Sequence, residues 1–252
     1  MTIRWLDRAA AHLLPARCFV CGSPLGPVQL LGACAPCWGT LVCGATPRCR
    51  RCALLLPEAG LSDGPARGCC ALCAVRPLPF DRATAAVSYG GNARRFLLRA
   101  KDGARPEILP VLAAQLAAVV SLERMLDGID GVVPVPSSAL ARLKRGFDPA
   151  REISREVARI TGLRVFDKVL KKRGLAGPAT KGLPARERWS GADHRIAARR
   201  SLPGSRVLLV DDVLTTGATA AACAAALRSA GAAEVRVAVW ARTPSPSFEF
   251  GG

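Results

Sequence analysis

Apolar positions follow two alternating patterns in the chain beyond residue 81. Short apolar runs are typical of buried strands and predict strands at 83–89, 131–135, 206–210 and 234–240. Longer segments with apolar residues three and four positions apart predict helices at 92–101, 107–125, 149–160 and 219–230. This alternation favours an α/β fold with a mostly parallel sheet and helices on its faces.

The predicted helix at 149–160 has defined ends. Asp148 is a good N-cap, Pro149 suits the first helical position, and Gly162 favours termination. Its buried stripe is expected to contain Ala150, Ile153, Val157 and Ile160.

The first eighty residues have a different composition, being rich in Gly and Pro and holding ten of the 11 cysteines. We expect a lead helix and a metal-stapled module at 1–80, a second domain at 81–242, and a disordered tail at 243–252. The 252 residues are half apolar, which suffices for a core and excludes a chain disordered throughout.

The longest apolar run, at 108–122, is shorter than the ~20 residues that span a bilayer. The first residues also lack the unbroken apolar stretch of a signal peptide, because Asp7 and Arg8 interrupt them. We therefore expect a soluble, cytoplasmic protein without membrane insertion.

Eight cysteines form four CxxC pairs, in which two thiolates can reach one ion from a tight turn. The pairs are Cys18 and Cys21, Cys34 and Cys37, Cys49 and Cys52, and Cys70 and Cys73. Two pairs complete a tetrahedron, so the sequence predicts two structural Zn²⁺ ions with no position left for catalysis. Sequential pairing is simplest, although an interleaved arrangement stays open.

The remaining cysteines have separate interpretations. Cys69 could replace its neighbour Cys70 as a ligand, Cys43 is expected to be a spare buried thiol, and Cys223 is expected in the core. Disulfides or redox-active thiols are the alternative, which a reducing cytosol disfavours. The 1–80 segment has few aromatic residues, so the ribbons are expected to be scaffolding and not a nucleic-acid platform.

The segment at 206–219 carries the most specific motif. Asp211 and Asp212 follow a buried strand, at the edge where α/β sheets bind ligands. A turn then opens a helix, and its amide N–H groups can bind a phosphate; the turn comprises Thr215, Thr216, Gly217, Ala218 and Thr219. The acids suit sugar hydroxyls or a nearby metal, so the segment predicts a ribose 5-phosphate site. It matches the 5-phosphoribosyl 1-diphosphate signature of type I phosphoribosyltransferases; a structural acidic turn is the alternative.

A second loop is a candidate for binding diphosphate together with Mg²⁺. It follows the strand at 131–135 and contains Pro136, Ser137, Arg142 and Arg145. A solvated basic loop is the alternative. Lys101, at a predicted helix end, either complements the helix dipole or binds the diphosphate.

The order of motifs resembles the ComF family over almost the whole chain. The shared motifs are the paired CxxC ribbons, Pro-Phe80-Asp81-Arg, the Lys101 turn, Val-Pro-Val-Pro136, Arg145-Gly-Phe147 and Val-Asp211-Asp212-Val-Leu-Thr-Thr-Gly-Ala-Thr219. The resemblance implies a type I phosphoribosyltransferase-like, Rossmann-type fold preceded by a small zinc-ribbon domain. It also implies a role in DNA uptake during natural competence, beside a helicase-like partner.

By position, the resemblance implies that Asp211 and Asp212 hold the ribose hydroxyls and that 215–219 holds the 5-phosphate. It places Lys101 and the 136–145 loop at the diphosphate. The chain departs from the family pattern around the expected acceptor side, at Asp102, Asp148, Pro149, Thr180 and Gly191.

Two functions therefore compete. One is transfer of the phosphoribosyl group to a nitrogen acceptor, although neither His12 nor His194 stands out as a general base. The other is a non-catalytic module that senses the sugar diphosphate or assists DNA uptake. The net charge of +17 supports phosphate-rich partners such as single-stranded DNA, although a solvated surface is the commonest meaning of such charge.

Overall fold

A five-stranded, wholly parallel sheet forms the centre of the protein. The computed structural model describes residues 17–18, 20–25, 33–41, 47–56, 67–75, 78–101, 105–172 and 196–244. In spatial order the strands are β1 (Arg82–Ser88), β7 (Glu234–Arg242), β6 (Arg206–Leu214), β2 (Gly131–Pro134) and β3 (Arg164–Val165). A separate antiparallel pair joins β4 (Leu170–Lys172) to β5 (Ile196–Ala198).

Helices cover both faces of the sheet, which explains why its strands are apolar at consecutive positions. One face packs against α3 (Gly91–Lys101), α4 (Leu109–Leu122) and α6 (Pro149–Thr161). The opposite face packs against α7 (Ala218–Ser229). Alternate residues of β6 therefore belong to the hydrophobic cores on the two faces of the sheet. Leu208 and Val210 pack in the core on the first face, and Val207 and Leu209 pack in the core on the opposite face.

The α/β class and parallel sheet predicted from the sequence are confirmed, with differences in detail. The helix predicted at 107–125 is a 3₁₀ turn (Pro106–Ile108) followed by the shorter α4. A short helix α5 (Ala139–Arg145) and strands β3, β4 and β5 were not predicted, because these segments lack an apolar period. Ile160 was wrongly placed in the buried stripe of α6, since it is 44% exposed.

Strand β6 is longer than predicted and runs to Leu214 instead of ending at residue 210. Its pairing with β7 continues past the acids, with Asp211 opposite Val239 and Leu214 opposite Arg242. The two carboxylates therefore lie within the last part of the strand and not in the turn that follows it.

The described part of the cysteine-rich segment contains two short helices, α1 (Ala35–Gly39) and α2 (Ala71–Val75). Isolated bridges join Arg17 to Pro24 and Arg48 to Leu55, so that both segments form small knuckles. The predicted lead helix, Cys43, both histidines and residues 245–252 lie outside the described residues. Within the described ranges, no helix combines the length and apolar character needed to cross a membrane.

Candidate functional site

Two cysteine tetrads bring together the four predicted CxxC pairs. Their members are Cys18, Cys21, Cys34 and Cys37 in the first tetrad, and Cys49, Cys52, Cys70 and Cys73 in the second. The sulfur atoms of each tetrad lie within 4.8 Å of one another. Successive pairs therefore share a site, and the interleaved arrangement is wrong.

The spacing of the sulfur atoms suits Zn²⁺. A tetrahedral ion with Zn–S distances of about 2.3 Å requires S···S edges of about 3.8 Å. The Sγ atoms of Cys21 and Cys34 are 3.6 Å apart, and those of Cys52 and Cys70 are 3.8 Å apart. Each tetrad is closed, because four sulfur ligands fill the coordination sphere, and this is typical of structural metal sites.

Nearby hydrogen-bond donors favour the thiolate form that a metal requires. The Cys70 amide donates to Cys49 Sγ at 3.2 Å in the second tetrad. In the first tetrad, Cys21 Sγ lies 3.2 Å from the Ser23 hydroxyl, and this contact lowers the pKa of the Cys21 thiol to about 6. Cys69 belongs to neither tetrad, and Cys223 is fully buried in the core, as predicted.

The predicted phosphate turn connects β6 to α7. Gly217 is the N-cap of α7 and has φ of 84°, a left-handed conformation that glycine adopts without strain. The N-cap residue Gly217 has no side chain to cap this helix end, and the Ala218 amide donates to the Thr216 hydroxyl in a long contact of 3.4 Å, which an anion can replace. The Thr215 and Thr219 side chains are exposed beside it. The turn can therefore offer amides and hydroxyls to one anion.

The two acids of β6 differ in environment. Burial, together with the neighbouring Asp212 carboxylate, raises the pKa of Asp211 to about 8. Asp212 instead forms an ion pair with Lys101, whose Nζ lies 2.5 Å from Asp212 Oδ2. Lys101 is the last residue of α3, as predicted, but its described ionic partner is this acid. The raised pKa of Asp211 therefore favours its protonated form near neutral pH, beside an Asp212 carboxyl group that is paired with Lys101.

The loop after β2 lies beside this site, because β2 and β6 are neighbouring parallel strands. Its Ser137 hydroxyl donates to the buried Asp148 at 2.8 Å, so Asp148 starts α6 without capping it through its side chain. Arg142 donates to the Ser137 carbonyl at 2.8 Å. The Nε atom of Arg145 is buried and has no hydrogen-bond partner among the described residues, so it can bind an added acceptor.

A cavity of about 370 Å³ adjoins this loop and extends to β4. Its lining includes the predicted residues Pro136, Ser137 and Arg142. It also includes five basic residues that no sequence motif indicated, namely Arg151, Lys168, Lys171, Lys172 and Arg199. The only signal for them in the sequence was the excess of positive charge in residues 142–206. Asp148 and Asp167 are the acids in this lining. Of the family departures, Asp148 and Pro149 lie within the described residues.

Residues 140–249 match a family model described as "Phosphoribosyl transferase domain". The parallel sheet and this match define a protein of the phosphoribosyltransferase fold class, preceded by cysteine tetrads consistent with a zinc-ribbon domain.

Two relatives named "DNA utilization protein YhgH" match over most of the chain. The one from Salmonella typhi is 29% identical over 233 residues, and the one from Escherichia coli K12 is 28% identical over 234. Each alignment covers 91% of this chain and 98% of the relative. "Competence protein F" of Haemophilus influenzae is 28% identical over 111 residues, covering 43% of this chain and 48% of that protein. The names of these relatives, together with the domain match, support the resemblance to the ComF family seen in the sequence.

Solved structures resemble only part of the chain. The glutamine phosphoribosylpyrophosphate amidotransferase of B. subtilis, complexed with ADP and GMP, is 27% identical with a TM-score of 0.36, covering 51% of this chain and 25% of its own. A purine phosphoribosyltransferase from Pyrococcus horikoshii is 16% identical with a TM-score of 0.34, covering 56% and 93% respectively.

Proposed function

We propose that the protein binds 5-phosphoribosyl 1-diphosphate with Mg²⁺ and transfers its phosphoribosyl group to a nitrogen acceptor. The observation that carries this proposal is the turn at 215–219, which opens α7 with a glycine N-cap directly beyond the two acids of β6. Amides can bind the 5-phosphate there, while the acids lie close enough along the chain to reach the sugar.

The two carboxyl groups have complementary roles in this proposal. Asp211, with its raised pKa of about 8, keeps a proton at neutral pH and can donate it in a hydrogen bond to a ribose hydroxyl. Asp212, which is paired with Lys101, accepts a hydrogen bond from the other hydroxyl. The ribose diol can therefore accept a hydrogen bond from Asp211 and donate one to Asp212.

The diphosphate is assigned to the loop after β2. Arg142 and the unpartnered Nε of Arg145 supply positive charge, and Pro136 and Ser137 shape the backbone between β2 and α5. The Asp212 carboxylate offers the kind of oxygen ligand that Mg²⁺ prefers, and a bound Mg²⁺ would offset the negative charge of the diphosphate. Lys101 lies beside Asp212, where it can turn towards a diphosphate.

In the reaction, the acceptor nitrogen forms a bond to the anomeric carbon as the bond to diphosphate breaks. Diphosphate leaves with the electron pair, and the acceptor's proton passes to solvent. Positive charge develops on the ribose ring, so the protein contributes by orienting the sugar and stabilising the leaving group. Arg142, Arg145 and Lys101 are the candidates for that stabilisation.

Calorimetry with the sugar diphosphate and Mg²⁺, followed by diphosphate release over a panel of nucleobases, tests the proposal. We expect binding, turnover with one base, and loss of turnover in Asp212→Ala. Asp127→Ala is the control, because Asp127 is an exposed acid paired with Arg124 away from the turn. Failure of the unmodified protein to bind the sugar diphosphate would overturn the proposal.

A non-catalytic role in DNA uptake is the second candidate, favoured by relatives named for DNA utilization and competence and by the charge of +17. Here the phosphoribosyl site is a sensor, and single-stranded DNA and a helicase-like protein are partners. Tight binding of the sugar diphosphate without turnover on any base, together with a salt-dependent mobility shift of single-stranded DNA, would favour this role.

The proposal also includes two structural zinc ions, one in each tetrad, and a cytoplasmic location. The division into units at 1–80, 81–242 and 243–252 remains a prediction. Limited proteolysis followed by mass determination would test those boundaries.

A further inference from the structure

Arg242 connects the second tetrad with the phosphate turn. It is the last residue of β7 and only 8% exposed. Its Nε donates to the Cys52 carbonyl at 3.0 Å. On the other side, its Nη1 donates to the carbonyls of Leu214 at 2.9 Å and Thr215 at 2.5 Å, and to that of Thr243 at 2.8 Å. One buried guanidinium therefore contacts both a metal-ligand residue and the start of the turn.

The contacts of Arg242 fix the direction of two amide groups in the turn. In a trans peptide the C=O and the following N–H point in opposite directions. The carbonyls of Leu214 and Thr215 point at the guanidinium, so the N–H groups of Thr215 and Thr216 point away from it. The Leu214 carbonyl also accepts from the Thr243 amide at 3.1 Å, so the arginine is one of two contacts that hold its peptide plane. The Thr215 carbonyl has no other hydrogen-bond donor among the described residues. Without Arg242 the Thr215 peptide plane is freer to rotate, and rotation would turn its carbonyl oxygen towards an incoming phosphate.

Charge explains why the arginine is stable in this buried position. All four of its hydrogen-bond partners among the described residues are carbonyl groups, and no carboxylate pairs with it. Four thiolates around one Zn²⁺ leave a net charge of about −2, because the ion offsets only two of the four. A loaded second tetrad is therefore the nearby anionic group that can balance the buried cation.

The first tetrad has no equivalent connection. Its neighbour Trp38 packs on Phe96 of α3, with ring centroids 4.1 Å apart. Among the hydrogen bonds of the described residues, none joins the cysteines of the first tetrad to residues 214–219. Among the described residues, the second tetrad is the one connected to the turn through a single side chain, that of Arg242.

We propose that Arg242 is a positioning residue through which metal binding at the second tetrad strengthens phosphate binding at the turn. This inference rests on the proposed phosphoribosyl site. Because coupling between two binding sites is reciprocal, ligand binding at the turn must also strengthen metal binding at the second tetrad, by the same factor. The first tetrad is outside this coupling.

Substitution of the arginine tests the proposal through binding. Arg242→Met keeps a long unbranched side chain but removes its charge and its hydrogen-bond donors. Arg242→Lys keeps the charge but lacks the planar set of donors that a guanidinium provides. Arg236→Met is the matched control, since Arg236 is a 9% exposed arginine of the same strand that pairs with Glu234 instead. The measurements are calorimetric affinity for ribose 5-phosphate and zinc content.

We expect Arg242→Met to weaken ribose 5-phosphate binding about tenfold or more, the range for lost hydrogen bonds to a charged group. Arg242→Lys should be intermediate, and Arg236→Met should bind within about twofold of the unmodified protein. Equal affinity in a folded Arg242→Met protein would overturn the inference while leaving the proposed function intact. Absence of binding by the unmodified protein would instead reject the proposed function, and the inference with it.

A second measurement needs no variant and therefore decides the matter even if Arg242→Met does not fold. Zinc release to a chromogenic chelator is followed with and without ribose 5-phosphate. We expect the ligand to slow release of one of the two zinc equivalents and to leave the other unchanged. If ribose 5-phosphate binds but protects neither equivalent, or both equally, the coupling does not exist.

Discussion

The two tetrads have the same ligands and the same CxxC spacing, yet they are attached to the protein in different ways. The first is anchored by an aromatic contact between Trp38 and Phe96, on the face of the sheet that carries α3. The second is connected to the phosphate turn by the hydrogen bonds of Arg242, and Ala53, which follows Cys52, packs in the opposite core. The role of a metal site is therefore set by its surroundings, since the ligand sets are identical.

The largest expected effect comes from removing one ligand of either tetrad. Cys18→Ser and Cys49→Ser should each lose one zinc and lower the free energy of unfolding by about 4 kcal/mol or more, because a structural metal contributes directly to folding. Only Cys49→Ser should also weaken ribose 5-phosphate binding. Zinc analysis, urea unfolding and calorimetry measure the three effects. Equal losses of affinity in the two variants would remove the distinction between the tetrads.

A smaller effect is expected from the apolar contacts beneath each tetrad. Phe96→Ala should lower the free energy of unfolding by about 3–4 kcal/mol, because its fully buried ring leaves a cavity. It should hasten zinc release from the first tetrad and leave ribose 5-phosphate affinity unchanged. Phe80→Ala is the matched variant, since Phe80 is equally buried in the core that contains Ala53. Chelator kinetics that show the same zinc equivalent released faster in both variants would contradict this assignment.

The acids of β6 should make the free energy of unfolding depend on pH, and this effect involves neither tetrad. Asp211 ionises near its ordinary value of 3.8 in the unfolded chain, but its folded pKa is raised to about 8. The stability linked to its bound proton is fully present below pH 3.8 and is lost as pH rises towards 8. Between these values, the unmodified protein should lose stability relative to Asp211→Asn, which does not titrate.

Urea unfolding at a series of pH values measures this difference. Asp127→Asn is the control, and its profile should run parallel to that of the unmodified protein because Asp127 is exposed. A parallel profile for Asp211→Asn would show that the raised pKa of Asp211 is wrong.

The smallest expected effect lies in the loop after β2, away from both tetrads. The Ser138 hydroxyl caps α5 by accepting from the Ala141 amide at 3.2 Å. Ser138→Ala should lower the free energy of unfolding by about 1 kcal/mol, as loss of an N-cap usually does. It should weaken diphosphate binding more than ribose 5-phosphate binding, with zinc content unchanged. Calorimetry with both ligands tests this, and equal weakening of both would place α5 outside the diphosphate site.

The sequence by itself determined the features that depend on local order. Alternating apolar patterns specified the strands and helices, because strand and helix periods are properties of neighbouring residues. CxxC spacing specified the ligand pairs for the same reason. The acids and the turn at 211–219 were also recognisable locally, since a strand, two carboxylates and a helix start follow one another without interruption.

Only the tertiary structure decided which distant residues meet. Continued pairing with β7 places both acids inside β6, and Lys101 reaches Asp212 across 111 residues of sequence. Arg242 meets Cys52 at a separation of 190 residues. No local pattern encodes such contacts, because they arise when parallel strands bring their carboxyl ends to one edge and packing then selects the side chains that fit.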